Sequence, residues 1–329
     1  MIVRTVQKED IEKLYDFNYK MYPQKVVEHK KYIDFWLSKK ASDKDLMIIL
    51  VDNEGIIHGQ MLGSSMSFYY KGEIIESRWG FDLIVEEKYR NDNWGVDIFI
   101  KDKENPNPGS GTGATQEALN MSCKIGYKLI GWIRKYVGIV NPLWILSSVG
   151  KGVVPVKDFP SGVFICGKTF SKLSKKQLPN RVIPFNDDLW EPTRDCDYLQ
   201  WRFFNDLHDY AIYKDNQSDN YFVLRTIVMA HVTIMLLVDW RCDAMSICDF
   251  EELYQGVKKV MAKLHLGILA SGSSLATFDS VFKKHHFRSM GRPRPVTCKL
   301  KVKDRKKDID NRNFAFVTLA DSDGETNWL

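Results

Sequence analysis

The sequence predicts an α/β (α+β) fold of two tandem domains, and three observations support this prediction. The chain has 329 residues, which is comfortable for two domains of ordinary size. Short loops join the strands at positions 46–85, which predicts an antiparallel meander because such loops cannot make a parallel crossover. The order strand–strand–strand–helix–strand–helix–strand then occurs twice, once in each half of the chain.

Composition and charge indicate a globular protein with a mild excess of basic residues. Hydrophobic residues make up 44% of the chain and charged residues 27%, as in ordinary globular proteins. The net charge of +5 permits an anionic ligand. Spread over this length, that charge does not indicate nucleic acid, so we expect no nucleic-acid partner.

The cysteines and the apolar runs predict a cytoplasmic protein without a metal or a membrane span. The six cysteines are scattered and form no C-x-x-C pair, which argues against a zinc site or a disulfide framework. The N-terminus is charged within a few residues, unlike a signal peptide. The longest apolar run, YFVLRTIVMAHVTIMLLVDW, carries Arg225 and His231 and is predicted to form two strands.

The first predicted domain covers residues 1–140. It begins with a strand, MIVRTVQ, and two helices, KEDIEKLYDFNYKMY and HKKYIDFWLSKK. Three meander strands follow, LMIILVD, IIHGQMLGSSMSFYY and IIESRWGFDLIV, with turns at NEG and YKGE. After a loop rich in Pro and Gly comes a helix with Thr115 as its N-cap and Gly126 near its end, and the strand YKLIGWIRKYVGIV closes the domain.

Residues 141–192 are rich in proline and are predicted to be an irregular bridge, and residues 193–329 form the second predicted domain. DCDYLQWRFFN is predicted as a helix, and YAIYK, YFVLRTIVMA and HVTIMLLVDW as strands. DFEELYQGVKKVMAKLH has one apolar face and predicts an amphipathic helix. The strand LGILASG, the helix SSLATFDSVFKKHH and the strand VTCKLKVK follow. VKDRKKDIDNR is predicted to be a charged hairpin or loop.

The stretch LIVEEKYRNDNWGVDIF joins the third meander strand to the next predicted helix. It contains Arg90 and, where that helix would start, a single glycine, Gly95. Backbone N–H groups at a helix start carry partial positive charge, and glycine lets the backbone approach a ligand closely. This position can therefore offer main-chain amides to a phosphate.

The first half resembles the GNAT acyltransferase superfamily across roughly residues 1–140. In that family the turn after the fourth strand reads Q/R-x-x-G-x-G/A. Here it reads RNDNWG, so that Arg90 and Gly95 match and Asn93, which tolerates a left-handed conformation, replaces the middle glycine. CKIGYKLIG resembles the K-x-G-F/Y motif of the family. DYLQWRF and LLVDWR look like parts of the second domain of bacterial tandem-GNAT proteins.

The resemblance implies two GNAT-like domains, each a mixed, mostly antiparallel sheet flanked by helices. It also implies acetyl-CoA, or another acyl-CoA, as co-substrate in the first domain and no metal. The residues implied to bind it are Leu83, Ile84, Val85, Arg90, Asn91, Asp92, Asn93, Trp94 and Gly95. The second half has no comparable turn, since DWRCDAMSICDFEEL lacks glycine.

Catalysis in this family requires a base that deprotonates the amine, and often a Tyr that reprotonates the departing thiolate. Alternation along the third meander strand puts Glu76, Arg78 and Asp82 on one face, and Phe81, Leu83 and Val85 on the other. Glu76 and Asp82 are the candidate bases because they lie close to the cofactor turn. The position of the family's Tyr is occupied by Ser122, a poorer proton donor.

Three functions remain open at this stage. The leading one is acyl-CoA-dependent transfer to an amine of a small molecule or an amino sugar, and a homodimer is compatible with it. The alternative is a non-catalytic binding or scaffold protein, which the scarce glycines and the missing Tyr favour. Transfer of aminoacyl groups from tRNA ranks third, because it would call for a stronger basic stripe.

Overall fold

The computed structural model describes residues 1–23, 29–39, 46–148, 155–242, 246–299 and 314–321. They form two compact units. In the described chain, the first unit comprises parts of 1–68 and 74–130 together with Pro295–Lys299. The second comprises Tyr69–Glu73 and parts of 131–294 and 312–329. Apart from Tyr69–Glu73, at the joined ends of two strands, the chain enters the second unit after Ile130 and returns to the first at Pro295.

The first unit contains every element predicted between residues 1 and 130. Its elements are β1 (Ile2–Thr5), α1 (Ile11–Met21), α2 (His29–Leu37), β2 (Ile48–Val51), β3 (Ile57–Tyr70), β4 (Glu73–Val85), α3 (Trp94–Lys103), β5 (Gly109–Thr112), α4 (Gln116–Lys124) and the start of β6 (Lys128–Ile139). A short 3-10 helix, Glu87–Asp92, lies between β4 and α3. The predicted caps of α4 are confirmed, since Thr115 accepts a hydrogen bond from the amide of Ala118 and Gly126 has a φ of +102°.

The sheet of the first unit is mixed, as the resemblance implies. β1, β2 and β3 pair antiparallel, and a turn at Lys71 and Gly72, both with positive φ, leads from β3 into β4. β5 then pairs parallel to β4. On its other side β5 pairs antiparallel with Val296–Lys299, the last residues of β14 (Arg288–Lys299).

The second unit repeats the same order of elements. It contains the rest of β6, α5 (Pro142–Ser148), β7 (Gly162–Ile165), β8 (Lys168–Lys172), β9 (Glu191–Pro192), α6 (Cys196–Phe203), β10 (Tyr210–Asp215), β11 (Tyr221–Met229), β12 (Val232–Arg241), α7 (Ile247–Leu264), β13 (Ile268–Ser273), α8 (Asp279–Lys284) and the start of β14. Its strands lie in the order β6-β13-β12-β11-β10-β8-β7. The long apolar run forms two strands as predicted, with a turn at Ala230 and His231. No helix among the described residues is long and apolar enough to cross a membrane.

Within the predicted bridge, residues 162–172 form the hairpin β7–β8, and its second strand pairs with β10. Its turn residues, Cys166 and Gly167, have φ of +48° and +83°, the pattern of a two-residue hairpin turn. The hairpin escapes sequence analysis because cysteine is not a usual residue at the first turn position. The charged segment VKDRKKDIDNR lies outside the described residues.

Candidate functional site

β4 and β5 of the first unit lie side by side for a short distance and then part. Their pairs among the described residues are Arg78–Gly109, Trp79–Ser110 and Gly80–Gly111, whereas β4 runs on to Val85. The approach at the last pair is close, since a Cβ on Gly111 would lie 2.7 Å from the carbonyl oxygen of Gly80. We call the wedge beyond this pair, bordered on one side by Phe81–Val85, the β4–β5 split.

The regular alternation of β4 ends at Asp82, at the beginning of the split. Asp82 has a φ of +48°, a left-handed conformation that is strained in a residue other than glycine. Phe81 packs against Trp36 of α2, with ring centroids 4.3 Å apart. Leu83 and Val85 instead pack in the cluster that includes Ile98 of α3. The predicted shared face of Phe81, Leu83 and Val85 is therefore wrong, because the backbone turns over at Asp82.

The predicted phosphate turn follows directly on β4. Arg90 is exposed, and its Nε donates a hydrogen bond to the carbonyl oxygen of Val85 at 3.0 Å, which fastens the turn to the strand. Asn93 has a φ of +62°, so the left-handed conformation expected at this position is confirmed. The Asn93 side chain makes no capping hydrogen bond to a described residue, and α3 begins at Trp94.

Trp94 and Gly95 are the first two residues of α3, and they determine how closely a ligand can approach the helix start. Trp94 is half-buried and packs against the cluster that contains Ile98, while Asn91, Asp92 and Asn93 are exposed. A Cβ on Gly95 would meet only the methyl group of Met121, at 3.7 Å. The protein's own packing therefore permits a side chain at position 95. The glycine leaves that space open to a ligand.

The structure places the three candidate catalytic residues in different settings. Asp82 is half-buried in the split. Glu76 is exposed and precedes the last β4–β5 pairs, where it accepts a hydrogen bond from Ser67 at 3.2 Å. Ser122 is buried in α4, and its hydroxyl donates to the carbonyl oxygen of Leu119 at 2.8 Å. Of the three, only Asp82 lies in the split itself.

A buried polar network next to the split was not anticipated from the sequence. Arg78 of β4 donates from Nε to Oδ1 of Asp102 at 2.7 Å, and Tyr127 donates to Oδ2 of the same carboxylate at 2.6 Å. Burial would lower the pKa of Arg78, but hydrogen bonding to Asp102 and the charge of that carboxylate together outweigh burial and raise the pKa. Burial and the charge of Asp102 raise the pKa of Tyr127, so its hydroxyl remains a donor.

A second cluster not anticipated from the sequence lies where β4 ends. His58 is within 3.2 Å of Glu86 through Nδ1 and within 3.0 Å of Asp52 through Nε2. Burial would raise the pKa of Glu86, but hydrogen bonds from Lys20 and His58 keep it below its usual value. Because carboxylates engage both ring nitrogens of His58, we do not add this residue to the candidate bases.

The second unit has the same parallel arrangement, but its own chain occupies it. β12 and β13 pair at Met235–Leu269, Leu236–Ala270 and Leu237–Ser271. Beyond these pairs lies the buried segment Phe314–Asp321. Its Thr318 forms a bridge with Ser273 of β13 and donates a hydrogen bond to Asp239 of β12 at 2.8 Å.

Buried charges fasten this C-terminal segment in place. Arg194 lies 2.8 Å from Asp239 and 2.8 Å from Asp321, and all three side chains are fully buried. Tyr198 donates to Asp321 at 2.9 Å. Helix α7, which follows β12, is capped by Ser246, whose hydroxyl accepts from the amide of Asp249 at 3.3 Å. The second unit therefore supplies a side-chain cap at the start of α7, whereas no described side chain caps α3.

Comparison with known proteins rests on structure. No protein-family model matches the sequence, and no curated protein matches it. A GCN5-related N-acetyltransferase from Anabaena variabilis matches with a TM-score of 0.57 at 12% identity, over 90% of this chain and 72% of that chain. One from Kribbella flavida matches with a TM-score of 0.57 at 8% identity, over 91% and 71%.

N-myristoyltransferase from Saccharomyces cerevisiae, in a structure with bound myristoyl-CoA, matches equally well. The TM-score is 0.57 at 13% identity, over 90% of this chain and 81% of that chain. At such identities a match establishes the fold. The chain therefore shares the fold of these GCN5-related N-acetyltransferases and of N-myristoyltransferase.

Proposed function

We propose that the first unit is an acyl-CoA-dependent N-acyltransferase that transfers an acyl group, acetyl in the simplest case, to the amine of a small molecule or an amino sugar. The observation that carries this proposal is the β4–β5 split, followed after one short 3-10 helix by a helix start with an uncapped left-handed Asn93 and a small Gly95. Solved structures with this fold include N-acetyltransferases and an N-myristoyltransferase with bound myristoyl-CoA. A thioester donor is the co-substrate that these features suit.

Different residues of the first unit would bind different parts of the acyl-CoA. The amides of Trp94 and Gly95, at the end of the predicted turn, would hold the diphosphate, since N–H groups at a helix start favour anions. The main chain of Leu83, Ile84 and Val85, which borders the split, would hydrogen-bond the pantetheine arm. A backbone N–H in the split would polarise the thioester carbonyl.

Asp82 would accept the proton of the amine. The amine nitrogen then forms a bond to the thioester carbonyl carbon, the carbon–sulfur bond breaks, and the sulfur leaves as a thiolate. The hydroxyl of Ser122 is engaged within α4, so we assign the reprotonation of the thiolate to water. Asp82 is favoured over Glu76 because it lies in the split, whereas Glu76 precedes it.

One observation favours a non-catalytic binding protein as the second candidate. The hydroxyl at the position of the family's Tyr is buried and donates to a helix carbonyl, so it is not available to the departing thiolate. Such a protein would bind CoA or a related anion but would not turn over.

Calorimetry with matched variants tests the proposal. We expect the full chain to bind acetyl-CoA at micromolar concentration, with Gly95→Ala binding almost as well because a methyl group fits there. Gly95→Pro removes an amide at the helix start and should bind at least about tenfold more weakly, the loss of one charge-assisted hydrogen bond. If acetyl-CoA and myristoyl-CoA both fail to bind at millimolar concentration, the proposal is wrong.

Turnover separates the two candidates. Free thiol released from acetyl-CoA would be measured with a panel of amines, including amino sugars, amino acids and polyamines, with aminoacyl-tRNA as a further donor. Amine-dependent thiol release supports the acyltransferase. Tight binding without release by any amine supports the binding protein.

A further inference from the structure

We propose that the buried network Arg78–Asp102–Tyr127 positions α3 and the β4–β5 split for acyl-CoA, so that these three are positioning residues of the proposed site. This inference rests on the proposed function. The network lies wholly in the first unit, and it joins the strand that borders the split to the helix whose start would bind phosphate.

The network reaches both ends of the site through short contacts. Arg78 lies two positions before Gly80, at which the paired part of β4 and β5 ends. Asp102 lies in the last turn of α3 and receives three hydrogen bonds from Arg78, one on Oδ1 at 2.7 Å, one on Oδ2 and one on its backbone oxygen at 2.8 Å. A helix is stiff over a length of about 15 Å, so fixing the end at Asp102 fixes the start at Trp94.

The surrounding chain is shaped around this network. Arg78 also donates to the carbonyl oxygen of Asn107, and its own amide donates to the carbonyl oxygen of Pro108 at 2.9 Å. A Cβ on Gly109 would lie 2.5 Å from the Tyr127 hydroxyl and 2.9 Å from Nη2 of Arg78. The first residue of β5 is thus a glycine because the network occupies the space of its side chain.

Stability alone does not account for such an arrangement. Arg78 and Asp102 are 3% and 5% exposed, and a buried ion pair often contributes no more stability than well-packed apolar residues of the same volume. The bidentate geometry of Arg fixes direction as well as distance. The geometry at this place therefore points to placement of α3 relative to the strand.

The test compares two matched tyrosines. Tyr127→Phe removes a buried hydroxyl that donates to Asp102 at 2.6 Å. Tyr221→Phe removes one that donates to Asp239 at 2.8 Å in the second unit. We expect both variants to lose similar thermal stability, because each loses one buried hydrogen bond to a carboxylate. Only Tyr127→Phe should raise the Kd for CoA, by at least about fivefold, the scale of a typical coupling between sites.

A triple variant separates placement from folding. Arg78→Met combined with Asp102→Leu, made in the Tyr127→Phe background so that no buried hydroxyl loses its acceptor, replaces the ion pair by apolar residues of similar volume and should retain the melting temperature of Tyr127→Phe. The Kd for CoA should nevertheless rise, and amide hydrogen exchange at Trp94–Asp97 should quicken while exchange in α7 stays unchanged. The exchange readout needs no ligand, so it tests the positioning even if the unmodified chain fails to bind CoA, which would overturn the proposed function.

Two results would overturn the inference on its own. One is an unchanged Kd for CoA in both the Tyr127→Phe and the triple variant while the unmodified protein binds. The other is unchanged hydrogen exchange at the start of α3 in the triple variant. In either case the network would serve folding only.

Discussion

The splits of the two units have the same topology but different contents. In each unit two parallel strands pair at three positions and then separate. In the second unit the segment Phe314–Asp321 bonds to both strands there, and Ser246 caps the following helix. In the first unit, β4 has only β3 and β5 as neighbours among the described strands, and the following helix starts without a side-chain cap from a described residue.

This difference is the reason for assigning the proposed site to the first unit. A fold that occurs twice needs its backbone groups satisfied at both helix starts and both strand edges. The second unit places Ser246 at the start of α7 and Thr318 beside β12 and β13. In the first unit no described side chain caps α3, which is the arrangement expected where a ligand supplies a missing partner.

The largest effect that tests this comparison concerns the proposed base. Asp82→Asn should lower kcat for acetyl transfer by about 100-fold or more, the usual contribution of a general base. The Kd for acetyl-CoA, measured by calorimetry, should stay the same because the main chain does the binding. Glu76→Gln should reduce kcat less, since Glu76 lies before the split. A larger loss from Glu76→Gln would reverse the assignment.

The next effect concerns the second unit, where the segment Phe314–Asp321 lies beyond the last β12–β13 pair. Asp239→Ala leaves Arg194 and Arg241 short of a buried carboxylate, and we expect the free energy of unfolding to fall by about 4 kcal/mol. Urea titration of the full chain measures it, with the exposed Asp187→Ala as control. The stoichiometry of acetyl-CoA binding should remain one per chain. A second bound molecule in the variant would mean that the C-terminal segment conceals a working site.

Glu191 should make the stability of the second unit depend on pH. Burial raises its pKa to about 7, against the opposing effect of Arg241 3.2 Å away. The folded state then binds more protons than the unfolded state between pH 4.5, the ordinary value, and about 7. The free energy of unfolding should therefore fall as pH rises through this window, by about 3 kcal/mol at most.

Thermal unfolding of the unmodified protein and of Glu191→Gln across that range would measure the effect. The variant carries no titrating group at this position, so its curve should be flatter. Parallel curves would show that Glu191 is ionised in the folded protein at low pH as well.

The smallest effect concerns the turn of the first unit. Asn93 is held at a φ of +62°, so Asn93→Ala should cost about 1 kcal/mol of stability, whereas Asn93→Gly should be nearly neutral. Urea unfolding of both variants gives the difference. Equal losses in the two would mean that the Asn93 side chain, and not its backbone conformation, stabilises the turn.

Local signals account for what the sequence could predict. The meander, α4 with its Thr115 cap and Gly126 end, and the left-handed Asn93 follow from periodicity and from residues with special backbone preferences. The tandem fold also follows, because the order of elements repeats. Each of these depends on residues that are close together in the chain.

Features that depend on distant residues could not be predicted. The backbone of β4 turns over at Asp82, and no glycine marks this position in the sequence. Arg78, Asp102 and Tyr127 lie far apart in sequence and meet only in the fold. The exchange of β6 and β14 between the units, and the insertion of Phe314–Asp321 beside β12, are decided by packing across the whole chain.

Hydrogen exchange with and without CoA tests the central claim most directly, because it reports where the ligand binds. The account predicts slower exchange at Leu83–Val85 and Trp94–Asp97 on addition of saturating CoA, with no change at Ile247–Phe250 at the start of α7. Protection at α7, or protection at neither helix start while CoA is bound, would contradict it.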